Sequence, residues 1–324
     1  MAKKDWIPLT VLPTALEDLA GPRDDAWHAQ PRRPEWLRIK LQTSGSFTTI
    51  RRMMTDLKLN TVCQEARCPN IYECWSEGTA TFMVMGDTCT RACGFCNVKT
   101  GRPEALDLEE PEHVAEAVAT MKLEHAVITS VDRDDLPDGG AGHFADTIRA
   151  VRRRNPDTKV EVLIPDFRGD HQALMTILEA GPDVLNHNTE TVARLYKRVR
   201  NRARYEWTME LLKRASEHRD SQAPQLLTKS GIMLGLGESS QEVSQTIADI
   251  RAQGTDILTV GQYMRPTMKH LPVERFWTPE EFEAIRLEAL SLGFRFVESG
   301  PLVRSSYHAG RHRVGAQETV VVRR

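Results

Sequence analysis

Six cysteines, all lying between residues 63 and 96 of a 324-residue chain, are the residues most able to do chemistry. Cys89, Cys93 and Cys96 stand at C-x3-C-x2-C spacing in DTCTRACGFCNV, and Cys63, Cys68 and Cys74 at C-x4-C-x5-C in TVCQEARCPNIYECW. Thiols grouped this tightly are metal or redox groups before they are disulfides in a reducing compartment. Each trio is one ligand short of a closed tetrahedral zinc site or a four-thiolate iron–sulfur cluster. At the Cys89–Cys96 trio the shortage has a use. A four-iron cubane held by three thiolates leaves one iron open to a small molecule that binds through an amine and a carboxylate. The alternatives are zinc completed by a distant histidine at that trio and a structural metal knuckle at the Cys63–Cys74 trio. If both trios hold clusters, no cysteine remains for a fourth ligand. An oxygen ligand at the Cys63–Cys74 trio would be weaker and more easily lost, and a labile cluster is a poor wire but a plausible donor of sulfide.

These residues need a scaffold, and the rest of the chain predicts one. Strands are expected at Thr81–Met85, Ala126–Val131, Lys159–Ile164, Val184–His187, Ser230–Leu234, Ile257–Gly261 and Arg295–Glu298. Helical periodicity lies between them near 111–122, 142–154, 170–180, 190–218, 239–253 and 278–292. Thr278-Pro279-Glu280-Glu281 is a capping box with proline at the first helical position. Pro111 opens another helix, with Val114, Val118 and Met121 along one face. Such alternation means a parallel sheet with helical crossovers. An incomplete (β/α) barrel of about six strand–helix units fits best, an α/β fold whose chemistry sits at the carboxyl ends of the strands. Residues 1–79 are then an N-terminal extension carrying one cysteine trio, 80–300 the partial barrel, and 301–324 a C-terminal segment. Within the extension, Pro8, Pro13, Pro22, Pro31 and Pro34 mark an extended arm, and Ile50, Met53, Met54 and Leu57 recur at helical spacing.

Composition excludes several classes. Basic and acidic residues nearly balance, 43 against 45, unlike a general nucleic-acid binder. The basic runs Arg152–Arg154 and Lys197–Arg204 are solvated helix faces or docking sites for an acidic partner protein. No apolar run reaches the roughly 18 residues that span a bilayer. The N-terminus has neither a secretory h-region nor the acid-poor character of a transit peptide, its Glu17, Asp18, Asp24 and Asp25 arguing against the latter. These features predict a cytoplasmic protein. Gly235–Glu238 (GLGE) lacks the G-x4-G-K-[ST] pattern of a phosphate loop, and no H-E-x-x-H or G-x-S-x-G motif occurs.

The C-x3-C-x2-C motif, with Phe95 before its last cysteine, resembles the signature of the radical S-adenosylmethionine (SAM) superfamily. Both spacings, together with ARCPNIYECW, VITSVDRDDLPDGGAGHF, NHNTET, KSGIMLGLGE, GQYMRPT and RSSYHAG, resemble the lipoyl synthase family over about residues 36 to 310. The resemblance implies two 4Fe-4S clusters and SAM. Cys89, Cys93 and Cys96 would hold the cluster that cleaves SAM to methionine and a 5′-deoxyadenosyl radical, because an unactivated C–H bond has no acidity for side chains to exploit. Cys63, Cys68 and Cys74 would hold an auxiliary cluster consumed as the sulfur source, its fourth ligand a serine of Arg304-Ser305-Ser306-Tyr307: Ser305, with Ser306 as the other choice. The implied reaction inserts sulfur at C6 and C8 of an octanoyl group carried on a protein lysine. The implied partners are octanoylated lipoyl carrier domains (2-oxoacid dehydrogenase E2 subunits and the glycine cleavage H protein) and an electron donor such as flavodoxin or ferredoxin, with no nucleic acid and no membrane.

For SAM itself, the polar candidates at strand ends are Thr129, Ser130, Asn188 and Glu190, with Asp132 close by. Asn188 and Thr189 equally suit a helix cap. Lys229 and Arg265 are lone basic residues that would meet the carrier or the SAM carboxylate, or simply lie on the surface. Trp75 shields the auxiliary cluster or packs. Two other function classes remain: a non-catalytic electron-transfer protein, which would not need so large a scaffold, and another radical SAM enzyme, such as a biotin-synthase-like sulfur transferase.

Overall fold

The computed structural model describes residues 32–37, 45–65, 68, 70–76 and 81–306. Most of the expected N-terminal arm, with Pro8, Pro13, Pro22 and Pro31, lies outside them, as does Tyr307. Helix α1 (Gly45–Asp56) is followed by β1 (Asn60–Thr61), α2 (Val62–Glu65) and α3 (Ile71–Ser76), and then by β2 (Thr81–Val84). Ile50 and Met54 of α1 are buried and Met53 and Leu57 pack beside them, as their spacing predicts.

A small two-stranded ladder, β3 (Thr88–Cys89) with β4 (Lys99–Thr100), frames the C-x3-C-x2-C loop. Six crossovers follow: α4 (Glu110–Met121), β5 (His125–Ser130), α5 (Ala141–Arg154), β6 (Lys159–Leu163), α6 (His171–Glu179), β7 (Val184–Asn186), α7 (Tyr196–Val199) with α8 (Tyr205–Gln222), β8 (Leu227–Leu234), α9 (Ser240–Ala252), β9 (Ile257–Gln262), α10 (Pro279–Ser291) and β10 (Phe296–Gly300). The sheet runs β1-β2-β5-β6-β7-β8-β9-β10, parallel throughout except for β1, which pairs antiparallel with β2. β10 has no ladder to β2 among the described residues, so the curved sheet stays open. No helix among the described residues is long and apolar enough to cross a membrane.

Local chemistry fixes the elements. All four residues of β2 are buried, as expected of a strand covered on both faces. At α10 the Thr278 hydroxyl accepts from Glu281 N–H at 3.3 Å and the Glu281 carboxylate accepts from Thr278 N–H at 2.7 Å, with Pro279 at the first helical position. At α4, Val114 and Val118 are fully buried. Arg152, Arg153 and Arg154 reach Asp183, Glu112 and Glu116, so that basic run forms surface ion pairs.

One element differs from expectation. The pattern over 190–218 is two pieces, a short helical stretch over Ala193–Val199 and α8, separated by residues 200–204. Arg200 causes the break. Its backbone leaves the helix (φ −128°, ψ 71°), and its buried guanidinium donates to the Asn188 carbonyl at 3.0 Å and the Tyr196 hydroxyl at 3.1 Å.

The barrel interior carries a charged layer. Period-two alternation puts His125, Glu161 and Lys229 on the same faces as Thr129, Leu163 and Met233, which line the cavity described below. Lys229 Nζ lies 2.8 Å from Glu161 Oε1, and His125 Nε2 3.1 Å from Glu161 Oε2. Lys229 and Glu161 are wholly buried. Lys229 therefore meets neither a carrier nor SAM: its charge is used inside the fold, which a sequence cannot distinguish from a free strand-end cation.

Candidate functional site

Both cysteine-bearing segments and the serine pair line one cavity of about 500 Å³ on the barrel axis. Cys89 ends β3, and its sulfur accepts from the N–H groups of Arg91 and Asp132, each at 3.4 Å. The turn after it is fastened at Gly94, whose N–H donates to Val199 O at 2.9 Å and whose carbonyl accepts from Leu271 N–H at 2.9 Å. The Cys96 carbonyl accepts from His270 Nε2, also at 2.9 Å. Three crossover loops thus hold the motif, which has almost no regular structure of its own.

Burial, reinforced by the nearby Asp132 carboxylate, pushes the Cys89 thiol up to about 12. Burial pushes Cys93 to about 12 despite the opposing charge of Arg200, and Cys96 to about 11. Such sulfurs ionise only against a strong local cation, as metal ligation provides. The five cysteines whose side chains are described are all free thiols. Among the described residues no three His, Cys, Asp or Glu side chains converge on one ion. A cubane needs no such convergence, since each thiolate meets its own iron.

Arg91, between Cys89 and Cys93, organises the loop. Its side chain is only 2 % exposed and forks onto Asp134 with two bonds of 2.8 Å, while Nη1 lies 2.8 Å from Asp166 and Nε 3.3 Å from Asp132. The loop is thereby pinned to the segments after β5 and β6. Burial opposes the charge, but the carboxylates hold the guanidinium well above its ordinary value. Arg91→Lys keeps the charge and loses the planar fork. The expected cost is about 1–2 kcal/mol, read as a lower denaturant midpoint.

The other trio sits where the open sheet meets the C-terminal segment. Cys63 is on α2 and Cys68 follows it, its N–H bonded to Cys63 O at 3.0 Å. Cys74 is on α3, and its side chain lies outside what the structure describes. Burial, with Cys68 adding to it, pushes Cys63 up to about 11, against hydrogen bonds from Thr81 and the Trp75 indole. Trp75 is fully buried, so it both packs and covers this sulfur. The C-terminal segment enters the barrel because Gly261 of β9 has no side chain: a Cβ there would lie 2.1 Å from Val303 O. Asn70 Nδ2 donates to Leu302 O at 2.8 Å, and the Thr81 hydroxyl donates to Ser306 Oγ at 3.0 Å. Ser305 also lines the cavity, and no hydrogen bond to its hydroxyl exists among the described residues.

The remaining wall is polar. Thr129, Ser130, Asn188 and Glu190 all line the cavity. The Thr129 hydroxyl is committed to Leu163 O at 2.9 Å. Ser130 Oγ and Asn188 Oδ1 are buried without a partner, a cost that a polar ligand would relieve. Asn188 caps no helix. Its amide donates to Glu190 Oε1 at 3.2 Å, and Glu190 has left-handed backbone (φ 69°) while pairing through the β8 edge. Strain of this kind collects at functional sites. Burial raises the Glu190 carboxyl above its ordinary value against the pull of Arg200. GLGE is closed on itself, since Glu238 accepts from Gly235 and Leu236 N–H and from the Trp277 indole. Sequence reasoning gave no role to Arg91, Asp166 or Arg200, although Arg91 stands inside the cysteine motif and Arg200 inside the basic run Lys197–Arg204.

Buried thiols, a donor set without a fourth sulfur and unpartnered polar atoms beside them fit an iron–sulfur cluster with a polar ligand. A sequence profile described as the radical SAM superfamily matches residues 83–250. The fold is shared with crystal structures of methylornithine synthase (TM-score 0.50, 13 % identity, 67 % of this chain and 70 % of that one) and of Streptococcus suis SuiB bound to S-adenosylmethionine (TM-score 0.52, 9 % identity, 72 % of this chain and 55 % of that one). Fold and site define a radical SAM enzyme, and membership implies a 4Fe-4S cluster and SAM.

A second profile, the N-terminal domain of lipoyl synthase of the radical SAM family, matches residues 14–68, carrying the likeness upstream of residue 36. The lipoyl synthase of Symbiobacterium thermophilum is 59 % identical over 278 residues, covering 86 % of each chain. That of Halalkalibacterium halodurans is 56 % identical over 279 residues, 86 % of this chain and 91 % of the relative. That of Shouchella clausii is 52 % identical over 304 residues, 94 % of this chain and 97 % of the relative. The chain belongs to the lipoyl synthase family, radical SAM sulfurtransferases, and this membership implies a protein-bound octanoyl substrate.

Proposed function

We propose that the protein inserts two sulfur atoms, at C6 and C8, into an octanoyl chain held on a lysine of a carrier domain. The observation that carries this reading is the shared cavity: Cys89, Cys93 and Cys96 face it together with Cys63, Cys68 and Ser305. A substrate carbon in that space is within reach of both trios. Cys89, Cys93 and Cys96 hold the cluster that, with SAM bound, supplies the hydrogen-abstracting 5′-deoxyadenosyl radical. Cys63, Cys68 and Cys74 with Ser305 hold a second 4Fe-4S cluster, the sulfur source. Ser130, Asn188 and Glu190 orient SAM, with Thr129 shaping the wall beside them. Arg91 fixes the thiol loop, and the apolar lining, including Met83, Leu163 and Ile232, excludes water from the reacting carbon. The carrier domains are those of E2 subunits and the glycine cleavage H protein, and flavodoxin or ferredoxin delivers electrons in the cytoplasm. Residues 1–79, 80–300 and 301–324 divide the work: auxiliary cysteines, radical site and serine ligand.

The test is anaerobic reconstitution with iron and sulfide, then mass spectrometry of an octanoyl-lysyl peptide incubated with SAM and dithionite. The expected result is a gain of two sulfurs with release of 5′-deoxyadenosine. If 5′-deoxyadenosine forms and no sulfur reaches the peptide, the reading of the Cys63–Cys74 trio is wrong. Ser305→Ala should retain SAM cleavage and lose most complete insertion, because Ser305 has the unengaged hydroxyl. Ser306→Ala, losing one hydrogen bond to Thr81, should cost about 1 kcal/mol of stability and little product. The reverse order of effects, read by product mass, would assign the ligand to Ser306.

A further inference from the structure

The basic run Lys197–Arg204 is divided by the structure. Arg200 turns inward, while Lys197, Arg198, Arg202 and Arg204 are exposed and none of these four lines the cavity. They lie instead on the outer side of the C-x3-C-x2-C loop. Arg202 Nη1 donates to Thr90 O, one residue after Cys89, at 3.5 Å. The N–H of Gly94, one residue after Cys93, is bonded to Val199 O, and a Cβ on Gly94 would lie 3.3 Å from Arg198 O and 2.9 Å from the Leu271 side chain. From the Leu271 side the strip continues with exposed Lys269 and Met268, the latter 47 % exposed. Arg198 is paired with Glu274 at 3.0 Å, which ties the two segments together, and Arg204 stacks over the Trp207 ring at 4.8 Å. Lys197, Arg202 and Lys269 have no carboxylate partner among the described residues. On a chain of net charge −2 this strip is a local excess of positive charge around an exposed methionine.

The geometry points to this strip as the docking surface for an acidic one-electron carrier protein that reduces the cluster held by Cys89, Cys93 and Cys96. The inference rests on the proposed radical function. An acyl carrier must deliver its chain into the cavity, where the lining arginines are Arg33, Arg91, Arg200, Arg265 and Arg304, none of them on this strip. An electron donor has no need to enter. It needs the shortest path through protein to the buried thiolates, and the outer wall of their own loop provides it. One electron passes from the reduced carrier to the oxidised cluster; no bond forms or breaks. Charge complementarity of this kind steers encounter and weakens with salt.

The test uses the reconstituted holoenzyme, a flavodoxin with an acidic surface as probe, and the variant Lys197→Glu/Arg202→Glu/Lys269→Glu. Flavodoxin binding by calorimetry should weaken about tenfold or more and lose its salt dependence. Flavodoxin-driven 5′-deoxyadenosine formation should fall with it, while dithionite-driven formation and the KM for the octanoylated carrier stay unchanged. The glutamine triple variant should show a smaller loss of the same kind. Unchanged flavodoxin binding overturns the inference. An equal fall with dithionite makes the residues structural, and a raised carrier KM alone makes the strip part of the substrate interface; either outcome also overturns it. If the unaltered protein makes no 5′-deoxyadenosine with dithionite, the proposed function fails, and the binding measurement still decides the docking surface.

Discussion

Cys93→Ala should yield no 5′-deoxyadenosine above background from SAM and dithionite, with the fold intact. Cys93 is one of three thiols on the loop, and the remaining three cysteines belong to the α2–α3 segment, where the proposed function commits them to the other cluster. Two thiolates leave the cluster to be lost or rearranged. The loop itself is held by main-chain bonds at Gly94 and Cys96 and by the Arg91 fork, none of which uses the Cys93 sulfur. Compared without clusters, the variant and the unaltered chain should therefore differ in stability by less than about 1 kcal/mol, and the loaded proteins should differ further by what the lost cluster contributes. Iron content should fall without vanishing, the Cys63–Cys74 trio being untouched. The readouts are chromatography of the nucleoside product, iron analysis and thermal denaturation. Retained 5′-deoxyadenosine formation would falsify the assignment of radical chemistry to this loop.

Lys229→Met should lower folding stability by about 3–5 kcal/mol, because it leaves the Glu161 carboxylate buried without its main counter-charge. Burial alone would raise the Glu161 pKa, but Lys229 and the His125 hydrogen bond overcome it and bring the value down to about 2 from an ordinary 4.5. A carboxylate held below its unfolded value contributes stability that is full above pH 4.5 and is lost as pH falls through about 2. The contribution is about 3 kcal/mol. The double variant Lys229→Met/Glu161→Leu should recover much of the loss and show a shallower acid-side slope in that pH window. Denaturant midpoints between pH 2 and 7 measure both. A single variant as stable as the unaltered chain would mean that Glu161 takes up a proton at little cost, contrary to its depressed pKa.

The barrel was legible because its signals are local. Val114, Val118, Thr278 and Pro279 announce a helix face, a cap and a helix start without reference to anything distant, and the structure places them accordingly. The thiol motifs were legible because their spacing is itself the constraint. Tertiary partners were not. Lys229 and Arg200 look alike in the sequence as cations near predicted strand ends or helices, yet one is locked to a carboxylate 68 positions away and the other breaks a helix to reach the cavity. Asn188 followed by Thr189 reads as a helix cap until the left-handed Glu190 forecloses that path. Ser305 and Ser306 are indistinguishable as neighbours, and only the Thr81 hydroxyl, 225 positions from Ser306, separates them.

That last contact has a consequence for biosynthesis. The bonds closing the open side of the sheet join Asn70 to Leu302 and Thr81 to Ser306, across 232 and 225 positions. At about 5–20 residues per second, a ribosome needs roughly 10–45 s to make the second partner after the first. For most of that interval Cys63 and Cys68 are outside the exit tunnel ahead of the segment that closes over them. Their thiols spend it exposed to oxidants and stray metal ions, so correct loading of this wall is an event of the nearly finished chain, scheduled by translation.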